Sequence, residues 1–170
     1  MRDGSTTAGD VMGFGRIMLA AGVVAGALWG CVNDGRDPAM RRALVVLEGG
    51  RAATLYSLEP VTSDVRLPRL NGYAVLGTAQ LGPADTVRAA RQIARGLVVR
   101  EWSAGCFTPR QALRIAAGGP VYDYLVCDEC GRLAVYQDGK QIGSVDYDGP
   151  SVALKDLLRR EGVPQSETEF

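Results

Sequence analysis

Apolar and polar positions divide this chain into segments of different period. From Ile17 to Trp29 no side chain is charged, and the run is preceded by Arg16 and closed by Gly30-Cys31. Beyond a polar stretch, Asp37-Pro38 reads as a helix start, with Ala39–Leu47 as a short helix ended by Gly49-Gly50. Ala53–Leu58 reads as a strand stopped by Pro60, Val61–Leu70 as irregular, and Tyr73–Thr78 as a second strand. The clearest helix begins at Gly82-Pro83-Ala84-Asp85. Val87, Ala90, Ile93, Ala94, Leu97 and Val98 fall on one stripe, with Arg88, Arg91, Gln92 and Arg95 mainly on the other. Gly96 is its expected end, leaving Leu97–Arg100 as partly strand.

From Arg110 the period shortens to that of strands. Ala112–Ala116 and Val121–Cys127 flank Gly118-Gly119, and Leu133–Tyr136 and Gln141–Val145 flank Asp138-Gly139, a two-residue hairpin signal. A last helix is expected over Ser151–Glu161 with Val152, Leu154, Leu157 and Leu158 inward, before a polar, mobile tail at Gln165–Phe170. No internal repeat interrupts this order. Strands joined by tight turns, with separate helices, predict an α+β fold: one domain over 39–164, a small antiparallel β-meander with helices packed on one face.

The apolar run decides location. It is shorter than the about 20 residues that cross a bilayer, and Asn33, Asp34 and Arg36 follow directly. A short apolar core ending in Leu28-Trp29-Gly30-Cys31 is the layout of a cleaved export signal with a lipobox, so residues 1–31 are read as signal and Cys31 as the lipidation site. Met12 offers a more compact start, without the acids Asp3 and Asp10. Trp29 is a bulky residue for a peptidase pocket, which keeps an ordinary cleaved signal or uncleaved anchor as an alternative. Residues 32–38 are the tether, and Val32 leaves an outer-membrane destination open.

Composition narrows the chemistry. Roughly 140 residues remain after the signal, enough for a core without obligatory cross-links or metals. Formal net charge is +0, and no basic patch suggests a nucleic-acid partner. The chain has 0 histidines, which removes the commonest general base and metal ligand. Ser-His-Asp, Cys-His and two-His metal sites are excluded, so no catalytic residue is assigned and a non-enzymatic role is expected.

Cys106, Cys127 and Cys130 are the remaining chemical signal. As a disulfide set in an oxidising compartment, Cys106 joined to Cys127 or Cys130 would close a loop of roughly 20 residues, worth about 3 kcal/mol. As a zinc site, Cys127-Asp-Glu-Cys130-Gly131 resembles half of a zinc ribbon, with Cys106 as third ligand and Asp128 or Glu129 as the only nearby fourth. As a thiol-exchange pair, Cys127 and Cys130 lie at a strand turn beside two acids, which raises thiol pKa. The disulfide is the leading expectation. Which cysteines pair stays open. Arg110, Arg114 and Arg132 come near the cysteines in the meander, either as an anion pocket or as partners for Asp123, Asp128 and Glu129. Tyr122, Tyr124 and Tyr136 are read as core and sheet surface.

Leu55–Pro60, Gly72–Gly77, Cys106-Phe107-Thr108-Pro109-Arg110, Leu125–Cys130 and Glu161-Gly162-Val163-Pro164 occur in this order. Together they resemble a family of uncharacterised bacterial exported proteins with a Cys-Phe-x-Pro-Arg-His motif followed by Cys-Phe-Glu-Cys. The resemblance implies export and no particular activity. It also implies that a Cys-His-Cys-Cys metal site would lack its histidine here, where Gln111 stands. The chain thus predicts a lipid-anchored, periplasm-facing envelope protein with a structural or binding role. Its partner is the membrane, with a protein partner undetermined and no cofactor. Zinc binding and thiol-disulfide exchange are the alternatives.

Overall fold

The structure, a computed structural model, describes residues 37–62, 64–98 and 106–167. The readings on the export signal, Met12, Cys31 and the tether up to Arg36 lie outside these residues. Among the described residues no helix is long and apolar enough to cross a membrane.

Among the described residues three helices and eight strands follow the order that the periods require. Helix α1 (Pro38–Gly49) starts where Asp37 Oδ1 accepts the Ala39 N–H at 2.7 Å, an N-cap that satisfies one of the orphan donors of the first turn. Strand β1 (Ala53–Glu59) follows, then β2 (Arg69–Leu70) and β3 (Tyr73–Leu81). Helix α2 (Pro83–Arg95) has Pro at its first turn and Asp85 there to suit the dipole. It ends at Gly96 and leads into β4 (Leu97–Val98). The meander is β5 (Gln111–Ala116), β6 (Val121–Cys127), β7 (Arg132–Gln137) and β8 (Lys140–Tyr147). Asp138 (φ 51°) and Gly139 (φ 79°) form the expected hairpin turn. Helix α3 (Val152–Arg160) closes with Gly162 at φ 67° and a Val163 N–H bond back to the Leu158 carbonyl, 2.9 Å, a Schellman ending.

All eight strands join one antiparallel sheet in the order β2-β3-β1-β5-β6-β7-β8-β4. The predicted meander is the run β5 to β8. The sheet is larger than expected because β1, β3 and β2 extend it on one side and β4 docks on β8 at the far edge. The irregular segment at 61–70 yields β2 because Asn71-Gly72 turns it back onto β3.

The main core lies between the sheet and the helices. Met40, Ala43 and Leu47 of α1, Ala89, Ala90 and Ile93 of α2, and Leu154, Leu157 and Leu158 of α3 meet Leu55, Leu113, Ile115, Tyr124, Val126, Leu133 and Val135. All three helices thus pack on one face, as predicted. Two details differ. Val152 is 59% exposed because it is the first residue of α3, before the helix has turned onto the sheet. The buried stripe of α2 is Thr86, Ala89, Ala90 and Ile93, with Val87 only half buried. Small residues let α2 lie close to its neighbours, and Thr86 is satisfied by the Leu81 carbonyl (3.3 Å).

The opposite face carries a second cluster. Leu58, Leu70, Val75, Ala112, Leu125 and Ala134 form its floor, with Tyr56, Tyr73, Phe107 and Tyr136 around them. Tyr122 and Tyr124 belong to the helix-side core, while Tyr136 lies on this other face. Residues Gln165 and Ser166, expected to begin a free tail, hydrogen-bond to the domain: Gln165 Nε2 to the Lys155 carbonyl (3.1 Å), and Ser166 Oγ from Arg110 Nη1 (3.2 Å).

Candidate functional site

Cys127 and Cys130 lie in the turn between β6 and β7, and the segment that begins at Cys106 runs over it through Thr108. Cys127 ends β6, and Gly131 at φ 64° turns the chain into β7, with its N–H on the Asp128 carbonyl (3.2 Å). Within that turn Cys127 and Cys130 are joined as a disulfide with Cα atoms 5.2 Å apart. The sequence left the pairing open, with a bond from Cys106 to Cys127 or Cys130 as the bridge considered. Among the described residues Cys106 is instead a free, exposed thiol. The tight turn accounts for this, since it brings Cys127 and Cys130 within bonding distance of each other locally.

The disulfide is sealed: Cys127 is 1% and Cys130 3% exposed. The cover is the strand-like segment from Cys106 to Arg110, which is pinned at both ends. The Arg110 N–H bonds the Val126 carbonyl (3.2 Å) and its own carbonyl accepts from Leu58 N–H (2.8 Å). Phe107 packs edge-on against Tyr73, with centroids 6.1 Å apart, and the Tyr73 hydroxyl donates to the Phe107 carbonyl at 3.4 Å. Between these pins Thr108 lies on the sulfurs. Its N–H donates to Cys130 Sγ at 3.3 Å, and its Oγ1 is 3.4 Å from Cys130 Sγ and 3.7 Å from Cys127 Sγ. The Cys130 N–H donates to Cys127 Sγ at 3.1 Å. Thr108 was not singled out from sequence, because a threonine before a proline carries no chemical signal until the fold places it.

The acids of the turn are neutralised. Glu129 pairs with Arg110 (3.2 Å), whose side chain is only 9% exposed. Asp128 accepts from the Ser151 hydroxyl at the start of α3 and lies 3.6 Å from Lys155 Nζ. Burial alone would raise the Asp128 pKa; the Ser151 bond, the Lys155 charge and two backbone N–H groups outweigh it and hold the carboxyl below its ordinary value. The start of α3 therefore serves this carboxylate.

The arginines do not form one pocket. Cross-strand register puts Arg110 and Arg132 on either side of Cys127, and Arg132 opposite Asp146. Arg114 lies four residues from Arg110, about 13 Å at strand rise. It forms a bidentate pair with Asp123 (2.6 and 2.9 Å), donates to the Tyr56 hydroxyl (3.3 Å) and stacks over that ring. Asn71 Nδ2 completes the network on Asp123 at 2.8 Å and so ties the β2–β3 turn to the sheet. Arg110 and Arg114 each pair with a carboxylate, Glu129 of the turn and Asp123 across the strands.

The residues present do not fit a zinc site. The disulfide withholds two of three thiolates, and alternation along β5 sets Gln111 with Leu113 and Ile115 on the helix side, whereas Cys127 shares the opposite face with Leu125. Position 111 therefore could not supply a fourth ligand beside these sulfurs. Among the described residues no three His, Cys, Asp or Glu side chains gather as a metal site. Comparison with protein-family models, curated proteins and solved structures finds no match to this chain.

Proposed function

We propose that this chain is a bacterial envelope lipoprotein: an export signal over residues 1–31, acylation at Cys31, and a small α+β domain facing the periplasm in a structural or binding role. The observation that carries this reading is the buried Cys127–Cys130 disulfide. Thiols of cytosolic proteins are kept reduced, whereas exported chains keep such bonds. Two further features support it. Helix α1, which packs into the core of the domain, begins at Pro38, a few residues along the chain from Cys31. The charged groups around the disulfide are mutually paired, which suits a cross-link that holds a turn. The resemblance of the cysteine motifs to those of exported proteins points the same way. The zinc alternative is weaker because it needs the reduced pair and a ligand the fold does not bring.

Phase separation in a cloud-point detergent tests the anchor. The full-length protein expressed in a bacterial host is expected in the detergent phase with a mass increase on Cys31, and Cys31→Ser in the aqueous phase. An unmodified, water-soluble wild type would refute the lipoprotein reading. Native mass spectrometry of the same material, purified without reductant, is expected to show two hydrogens missing and no bound zinc.

A further inference from the structure

We infer that Cys106 is the attacking nucleophile of a three-cysteine exchange site, in which it opens the sealed Cys127–Cys130 disulfide from within the same chain. Three observations place the parts. The disulfide is closed to solvent while Cys106 is exposed, so Cys106 can lose its proton to water where the buried sulfurs are out of reach of an external thiol. Cys106 lies two residues before Thr108, hence within about 7 Å of its Cα, and Thr108 touches both sulfurs. Cys130 Sγ already accepts the Thr108 N–H and lies beside the Thr108 hydroxyl, so donors wait where negative charge would form.

The step balances within the chain. Cys106 gives its proton to solvent, and its thiolate attacks Cys127 Sγ. A Cys106–Cys127 bond forms, the Cys127–Cys130 bond breaks, and its electron pair leaves on Cys130 as a thiolate. One thiolate and one disulfide stand on each side, so no oxidant or reductant is consumed. Among the described residues Cys127 Sγ accepts the Cys130 N–H alone at close range. Cys130 Sγ has both the Thr108 N–H and the nearer approach of the Thr108 hydroxyl, 3.4 Å against 3.7 Å. This makes Cys130 the better leaving group and sets the direction of attack. The neighbouring acids do not oppose it, because Arg110 answers Glu129 and Lys155 answers Asp128. Forming the product asks Cys106, which lies ahead of the Phe107 pin, to bring its Cα within about 7 Å of Cys127, while β6 and β7 stay in place. The outcome moves the disulfide from a closed turn to an exposed cysteine.

This inference rests on the same Cys127–Cys130 bond as the export reading, and one experiment separates the two. The full-length protein, purified without reductant, is held at about pH 8, a little below the ordinary thiol pKa, and sampled over time. Samples are acid-quenched, denatured and alkylated with a maleimide, and the label is mapped by peptide fragmentation. Label is expected to move from Cys106 to Cys130, with a matching Cys106–Cys127 cross-linked peptide. Thr108→Val should slow that transfer about tenfold, the scale of a lost bond to a charged group. As an independent trap, Cys130→Ser is expected to give a monomeric Cys106–Cys127 disulfide on mild oxidation. Label that stays on Cys106 at every time, with no trapped bond, would overturn the exchange and leave the export reading standing. Label appearing on Cys127 instead would overturn the assigned direction. Three thiols labelled at time zero would sink both proposals.

Discussion

Asp123 shows how a single side chain here acts through its partners. It is 1% exposed and accepts bonds from Arg114 and Asn71. Removing it strands a guanidinium that is itself only partly in water, so Asp123→Ala should lower stability by about 2–3 kcal/mol, under the full cost of breaking a buried pair. Urea unfolding of the two proteins reads this directly; a loss under half a kilocalorie would mean the pair is merely a surface contact. Asp128 is the residue that couples stability to acid. Its carboxyl is held below the ordinary 3.8 by the Ser151 bond and the Lys155 charge, despite burial. A lowered folded-state pKa stabilises the fold in full above the ordinary value and loses that contribution as pH falls below about 4. Wild type should therefore lose stability across that range more steeply than Asp128→Asn, and equal slopes in acid denaturation curves would exclude the assignment.

At the level of elements, the crossing of the α2–β4 junction over the end of β8 is the tightest joint. A Cβ built on Gly96 would lie 2.7 Å from Tyr147 Cζ and 2.8 Å from the Gly149 backbone. The Asp148 N–H also bonds the Gly96 carbonyl at 2.7 Å. Neither backbone can yield without undocking β4, so Gly96→Ala should cost about 3 kcal/mol or more, at the upper end for overpacking. A thermal midpoint within a degree or two of wild type would show that the joint relaxes. The sequence marked Gly96 as a helix end and stopped there. Its second duty, leaving room for an aromatic ring from a strand some fifty residues later, is written in no local period.

For the whole molecule, two tyrosines couple the helix layer to the sheet and set the alkaline limit. Tyr124 donates to the Ala43 carbonyl of α1, and burial pushes its pKa up. Tyr147 is fully buried, and burial raises it to about 12. One N–H of the neighbouring Gln92 amide donates to the Pro150 carbonyl at 2.8 Å, and that amide partly offsets the rise at Tyr147. A raised folded-state pKa keeps its contribution below the ordinary value of about 10 and loses it as pH rises beyond. Unfolding in alkali should thus coincide with the ionisation of both phenols, followed by absorbance near the phenolate band. Tyr147→Phe should leave stability at pH 7 within about 1 kcal/mol, since the hydroxyl has no partner among the described residues. It should also shift the alkaline transition upward. An unchanged transition would mean Tyr147 ionises while folded.

What the sequence determined alone follows from short-range physics. Helical and strand periods, the Asp37 cap, the Asp138-Gly139 turn and the Gly162 ending are set by neighbours within a turn or two, and each stands in the structure. So does the α+β class, because those periods decide which faces must be covered. Strand order, the docking of β4 on β8 and the return of residues 61–70 as β2 depend on contacts between distant segments, which leave no periodic trace. The site divides the same way. The Cys127–Cys130 spacing pointed to a shared turn, but three cysteines allow three pairings, and only the bend at Gly131 decided among them. Tertiary structure alone put Thr108 on the sulfurs, turned Gln111 to the other face of the sheet, and gave Asp128 and Glu129 to cations from elsewhere in the chain.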